Sequence, residues 1–370
     1  MATSGGAELA GSHARYLRGL ASPSAAPLPH VELITFCTSD RKQLASTLHE
    51  SAMTSGGIGR IHHFESESTW LPVCRTSWPH LLTRPGPDWC QGEFNPPEKA
   101  AQSASHGWYA WKPWALCQVL DQVQDGTVLL YTDCDTSKYV LLADTFTDDV
   151  RPACAELLTV HGDFFCPTNC DWKHGPMCKR ICLEAMGATS DEYLEALQLQ
   201  ATFFLCRAST YSRRLAREWL EWSTDVRGLI SGAPSPGGME HPRFRVHRHD
   251  QAILTTLLLR EQFAGRLPAS RPYKNSRFLP GVIAELRGVP YAYTDRLVAL
   301  ARQGERAALA SVLEFACAFH AGNEAAQRKA VSERLSKLSD GLNRQQCDHL
   351  NACTDEVIGV LIRRYHTPRR

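Results

Sequence analysis

Asp125-Gly126-Thr127-Val128-Leu129-Leu130-Tyr131-Thr132-Asp133-Cys134-Asp135 is the stretch that decides the fold. Asp125-Gly126 is turn chemistry, because glycine takes the positive φ that a tight turn requires. Thr127 to Tyr131 is a short, unbroken apolar run, the pattern of a parallel strand buried on both faces. Acids stand at its carboxyl end. In open parallel sheets the ligand crevice lies outside the carboxyl ends of the strands, so Asp133 and Asp135 are placed for function.

Working upstream, Pro113 is placed to start a helix, since its missing N–H costs nothing at the first helical position. Trp114 to Val123 continues it with helical spacing. Nearer the start, Val31 to Cys37 reads as a first strand that Thr38-Ser39-Asp40 ends, and Arg41 to Met53 reads as a helix. Gly56-Gly57-Ile58-Gly59 breaks that helix before a second strand, Arg60 to Phe64. The glycines follow a helix and lack Gly-x-Gly-x-x-Gly spacing, so they are not a dinucleotide loop. Helix, turn, buried strand and terminal acids together predict an α/β protein with a mostly parallel sheet.

Residues 72–105 are dense in Pro and Trp and read as irregular. Downstream, Thr202 to Cys206 is strand-like, and Gly228 to Pro242 is a Gly/Pro/Ser-rich loop of the length of a flap. A helix is expected from Ala252 to Phe263. The expected organisation is a mobile segment over 1–29, one α/β domain over 30–294 and a helical extension over 295–370, where the composition shifts to Ala, Leu, Arg, Glu and Gln.

The chain has 370 residues, with 40 Lys plus Arg against 39 Asp plus Glu and a net charge of +1. That balance argues against a strongly basic nucleic-acid binder. The 43% apolar and 21% charged fractions exclude global disorder. No run approaches the ~18–20 apolar residues of a membrane span, and the first thirty residues lack the apolar core of a secretory signal. Fourteen scattered cysteines read as reduced thiols. A cytoplasmic location is the expectation, with organelle or secretory-pathway association as the alternative.

Three constellations carry chemistry. Asp133 and Asp135 can converge on a hard divalent cation, Mn²⁺ or Mg²⁺, that keeps positions open for phosphate oxygens; solvated turn acids are the plain alternative. Lys112 lies in Gly107-Trp108-Tyr109-Ala110-Trp111-Lys112-Pro113-Trp114 beside a helix start, where free N–H groups and the helix dipole also favour anions. Core packing is the alternative for Trp111 and Trp114. In His247-Arg248-His249-Asp250-Gln251, a histidine can complete a metal shell, and Asp250 can act as a base or hold a sugar; a capped helix start is the alternative. Separately, Cys166, Cys170, Cys178 and Cys182 have a spacing that four zinc thiolates can use, but plain buried thiols are the leading reading, with a disulfide as a further alternative. Cys134 is expected to point into the sheet.

The order of these pieces resembles the nucleotide-sugar-dependent glycosyltransferases of the GT-A fold. The likeness rests on Ile34-Thr35-Phe36, the Trp111-Lys112-Pro113 stretch, the strand ending in Tyr131-x-Asp133, and His247-x-x-Asp250-Gln251. It spans about 230 residues from Val31 to Gln262 and leaves out the segments over 1–29 and 295–370. The resemblance implies a Rossmann-like sheet whose first strand end, with Thr35, Thr38 and Ser39, contacts the nucleotide. It implies Trp111, Lys112, Asp133 and Gln251 at the donor, Asp133 and Asp135 bridging the metal with His247 or His249 available to it, and Asp250 as the catalytic group. A UDP-sugar is the implied donor, with a glycan, glycoconjugate or protein acceptor and no nucleic acid. The competing expectations are a non-catalytic scaffold used for binding, a zinc-organised interaction module at the cysteines, and a nucleotide-sugar hydrolase.

Overall fold

The computed structural model describes residues 27–83, 97–134, 149–237, 239–269, 272–273 and 282. Five strands form the main sheet: β1 (Val31–Cys37), β2 (Arg60–Glu65), β3 (Val128–Thr132), β4 (Phe164–Phe165) and β7 (Phe203–Arg207). A small sheet combines β5 (Thr168–Lys173), β6 (Leu197–Leu199) and β8 (Pro272–Tyr273) in the order β6-β5-β8. The principal helices are α1 (Lys42–Ser55), α2 (Leu71–Ser77), α3 (Pro97–Ser105), α4 (Trp111–Leu120) and α5 (Arg151–His161). Three short ones follow, α6 (His174–Met177), α7 (Arg180–Ala185) and α8 (Asp191–Glu195), then α9 (Thr210–Ser223) and α10 (His249–Phe263).

The main sheet has the order β2-β1-β3-β7-β4. β1 pairs in parallel with both β2 and β3, whereas β7 runs antiparallel to β3 and to β4. The protein is therefore α/β, but its sheet is mixed rather than mostly parallel. A strand buried on both faces reads as a continuous apolar run whichever way its neighbour points, so β7's direction is not written in its own residues.

Side-chain alternation splits β1 cleanly. Ile34 and Phe36 join Leu129, Tyr131 and Phe204 on one face, under Trp70, Trp111 and Trp114 of α4 and Trp219 of α9. Val31, Leu33 and Cys37 join Val128, Leu130 and Leu205 on the other, under Ala45, Leu48 and Ala52 of α1 and Cys154, Leu157 and Leu158 of α5. Helices thus cover both faces.

The Pro- and Trp-rich stretch expected to be irregular is mostly helical where it is described. Pro72 falls in the first turn of α2, Pro79 opens a 3₁₀ turn over Pro79–Leu82, and Pro97 begins α3. Each proline occupies a position whose N–H has no helical partner to lose. The same reason lets α4 start two residues before Pro113.

The loop from Gly228 to Pro242, expected as a flap, is instead fastened where it is described. Leu229 and Ile230 are fully buried, and the buried Lys179 Nζ donates to the carbonyls of Gly228 (2.7 Å), Ser231 (2.9 Å) and Ala233 (3.2 Å). Glu240 accepts from the backbone N–H groups of Arg180 and Ser235. The segments expected over 1–29 and 295–370 lie outside the described residues, apart from 27–29. Among the described residues, no helix is long and apolar enough to cross a membrane.

Candidate functional site at the carboxyl ends of β1 and β3

β1 has a parallel neighbour on either side, β2 reached one way and β3 the other. Such a reversal of strand order opens a crevice at the strands' carboxyl ends. Cys134 closes the floor between β1 and β3 by donating Sγ to Phe36 O at 2.9 Å, pointing inward as its place in the strand predicts.

Asp133 extends from β3 on the same face as Tyr131. Tyr131 Oη donates to Asp133 Oδ1 at 2.7 Å, and Lys112 Nζ stands 3.2 Å from the same oxygen and 3.4 Å from Oδ2. Lys112 comes from the first turn of α4 and is 5% exposed. Its ammonium also donates to Ala201 O at 2.9 Å and lies 3.6 Å from Asp250 Oδ2 at the start of α10. The rings of Tyr131 and Tyr109 lie 5.5 and 5.8 Å from it. Burial alone would push the Lys112 ammonium down, but the carboxylates of Asp133 and Asp250 outweigh it and hold the pKa above the ordinary lysine value.

Asp250 is the more strained partner. Burial raises its carboxyl to about 6 and Asp133 adds to the rise, against the opposing pull of Lys112. Among the described residues its Oδ2 is buried without a hydrogen-bond partner; Lys112 is within Coulombic range but beyond bonding distance. The α10 N-terminus and the Asp250 carbonyl, which accepts from Trp219 Nε1 at 3.1 Å, fix the residue in place.

The loop Ala201-Thr202 is the hub that joins these elements. Its Ala201 carbonyl takes Lys112, its Ala201 N–H donates to Gln251 Oε1 at 3.3 Å, and its Thr202 carbonyl accepts from Asp133 N at 2.9 Å. Among the described residues Gln251 Nε2 is left buried and unpartnered.

Backbone strain concentrates here. Among the described residues, three other than glycine have positive φ: Trp108 (56°), Tyr109 (72°) and His249 (53°). They touch one another, with the His249 ring 5.1 Å from Trp108 and 5.6 Å from Tyr109. Left-handed backbone at each costs ~1–2 kcal/mol, and such costs gather at functional sites. Gly107 begins the turn at φ +71°, and a Cβ there would lie 3.1 Å from the Trp70 ring. The Trp-Lys-Pro and His-x-His-Asp-Gln stretches, far apart in sequence, are packed together by this contact.

Not every expected residue joins the cluster. Trp111 stacks on Phe36 at 4.5 Å and 9°, with a buried Nε1 that has no partner among the described residues. Thr35 is fully buried on the opposite sheet face, beneath α1, so its hydroxyl does not line the crevice. Thr38 donates to Asp40, and Ser39 donates to Glu67 at 3.3 Å, both on the surface after β1. His249 Nδ1 bonds Ile230 O at 2.9 Å, and His247 Nδ1 accepts from Lys179 N at 3.3 Å. Burial, reinforced by Lys179, pushes the His247 pKa well below its ordinary value. Among the described residues, neither histidine belongs to a group of three candidate ligands with Asp133. Asp135 lies outside the described residues.

Cys166, Cys178 and Cys182 are buried free thiols directed to separate acceptors, Gln200 O, Lys179 O and Met186 Sδ; the Cys170 side chain lies outside the description. Tyr131 and the Ala201 carbonyl are site groups to which the sequence reading gave no role. Tyr131 was legible from the period-2 rule, which puts it on Asp133's face; the carbonyl was not.

Two carboxylates face a single lysine here, and Lys112 with Tyr131 engages both oxygens of Asp133; among the described residues the group of three candidate metal ligands lies elsewhere, at Cys37, His63 and Glu65. No family model, curated protein or solved structure matches the chain.

Proposed function

We propose that the protein is a glycosyltransferase of GT-A type, moving a sugar from a nucleotide diphosphate, a UDP-sugar in the first instance, to an acceptor hydroxyl. The observation that supports it most is the meeting of Lys112, Asp133 and Asp250 at the carboxyl ends of β1 and β3. A lysine and a helix N-terminus beside acids at a strand-order reversal suit a diphosphate better than a neutral ligand.

In this reading the bond between the sugar's anomeric carbon and the diphosphate breaks, its electron pair leaving with the diphosphate. A bond to the acceptor oxygen forms. Asp250, ionised at neutral pH and with Oδ2 unpartnered, takes the acceptor proton or orients the sugar. Lys112 meets the negative charge on the departing phosphates, and Trp111 Nε1 is free to donate to the nucleotide. A Mn²⁺ or Mg²⁺ held by Asp133 together with Asp135 would neutralise the leaving group.

Calorimetric titration of UDP and GDP, with and without Mn²⁺, tests the reading against an Asp133→Asn/Asp135→Asn control. Metal-dependent binding that the control loses supports it. Failure of both nucleotides to bind favours a second reading, a non-catalytic scaffold, which one feature already suits: Lys112 and Tyr131 between them engage both oxygens of Asp133.

A further inference from the structure

A second group of metal-ligand residues lies on the other face of the sheet, beneath α1 and independent of the donor site. Cys37 ends β1, and Glu65 is its register partner at the end of β2, with His63 two residues earlier on the same face. Cys37 Sγ and His63 Nε2 are 3.5 Å apart, His63 Nε2 and Glu65 Oε1 3.7 Å, and all three ligand atoms lie within 4.8 Å of one another. A tetrahedral zinc with bonds of about 2.0–2.3 Å has ligand-to-ligand edges of about 3.3–3.8 Å. These two separations match those edges, and the third lies within 4.8 Å.

We propose that Cys37, His63 and Glu65 form a binding site for a zinc-class divalent ion. The donor set is one thiolate, one imidazole and one carboxylate, which favours zinc over magnesium or calcium. Two anionic ligands balance the ion's charge. Glu65 is aimed for the task, because its other oxygen is held by Lys42 at 3.0 Å and by Ser68 Oγ at 3.1 Å while Oε1 turns toward His63. Outer contacts of this kind orient metal-binding carboxylates. The His49 ring of α1 packs edge-on against His63 at 4.7 Å, and among the described residues His49 Nε2 is buried without a partner. An orphaned buried ring nitrogen calls for an explanation, and a place in a metal shell supplies one. The fourth position goes to water or, by a rotamer change, to His49. Binding converts the Cys37 thiol to a thiolate and releases its proton to solvent. The ion would clip the exposed edge strand β2 to β1.

The test is titration of Co²⁺ into the full-length, metal-stripped, reduced protein, followed by displacement with Zn²⁺. One equivalent of Co²⁺ is expected to give a thiolate-to-cobalt charge-transfer band that Zn²⁺ abolishes, and Zn²⁺ raises the melting temperature. Cys37→Ser should remove the band, and the partly exposed Glu65→Gln should weaken affinity about tenfold or more. Cys154→Ser, a buried thiol of the same core, and Asp133→Asn should leave it unchanged. No thiolate band in the wild-type protein, or a band that survives Cys37→Ser, overturns the site. If Cys37→Ser does not fold, undiminished Co²⁺ affinity in Glu65→Gln overturns it instead.

Discussion

The ammonium of Lys112 stands 3.6 Å from Asp250 Oδ2, out of hydrogen-bond reach, while that oxygen has no other partner among the described residues. One lysine therefore serves two carboxylates and satisfies only Asp133 fully. The arrangement leaves Asp250 ionisable but poorly compensated, a state that a folded core tolerates only where surrounding contacts fix it.

Removing the lysine should expose how much rests on it. Lys112→Met strands two carboxylates, and breaking a buried pair from one side costs ~3–5 kcal/mol. Urea unfolding at neutral pH is expected to show a loss of that size. The loss should shrink in acid, because Asp250 without its cation takes up a proton more readily. A change below ~1 kcal/mol would mean that solvent already screens the cluster.

Asp250 itself makes a pH prediction. Its folded value is about 6 against an ordinary 3.8, so the native state holds more protons between those values. Stability contributed by this residue is therefore greatest in acid, falls as pH rises from about 4 to about 6, and stays low above that. The two-unit difference corresponds to about 3 kcal/mol as an order of magnitude. Asp250→Asn should flatten that slope and be more stable than wild type at neutral pH, and on the proposed glycosyltransferase reading it should lose sugar transfer. An unchanged slope in urea titrations across this range refutes the assignment. Unchanged transfer removes Asp250 from the chemistry.

The lysine that fastens the 228–233 segment gives a contrasting case. Burial pushes Lys179 down to about 8, yet its three carbonyl acceptors hold it. Lys179→Ala leaves those carbonyls unsatisfied, at ~1–3 kcal/mol each before relaxation. Hydrogen exchange should show lost protection over Leu229 to Ala233 and little change in β1 or β3. If protection there is unchanged, the segment is held by the burial of Leu229 and Ile230 rather than by the lysine.

How far the sequence carried this far depends on the kind of information each residue holds. β1 was legible to the residue, and β3 to within one, because buried strands are marked by their own apolar runs. Asp133, Lys112 and Asp250 were legible as candidates because charge is conspicuous beside such runs. Their mutual distances were not, since the Ala201-Thr202 hub acts through backbone groups that every residue carries. Thr35 shows the converse. Its strand was read correctly, but the face it points to depends on which helix covers β1, which no local pattern records. The direction of β7 and the closure of 228–242 by Lys179 are likewise products of long-range packing.

Trp111 separates binding from stability. Its ring lies flat against Phe36 at 4.5 Å, whereas its Nε1 is buried with nothing among the described residues to donate to. An unsatisfied buried N–H costs ~1–3 kcal/mol, and phenylalanine keeps much of the stacked surface without that group. The smaller ring also leaves a void, which costs about as much in the other direction. Trp111→Phe should therefore fold with a stability within ~1 kcal/mol of wild type in thermal or urea unfolding. If the indole N–H is kept for a nucleotide, calorimetry should show UDP binding weakened by about tenfold, the worth of one hydrogen bond at ~1.4 kcal/mol. A variant that binds as tightly as wild type would make Trp111 a core residue alone. A variant that binds weakly because it is broadly unfolded would be recognised by its melting curve, so the two measurements together decide the role.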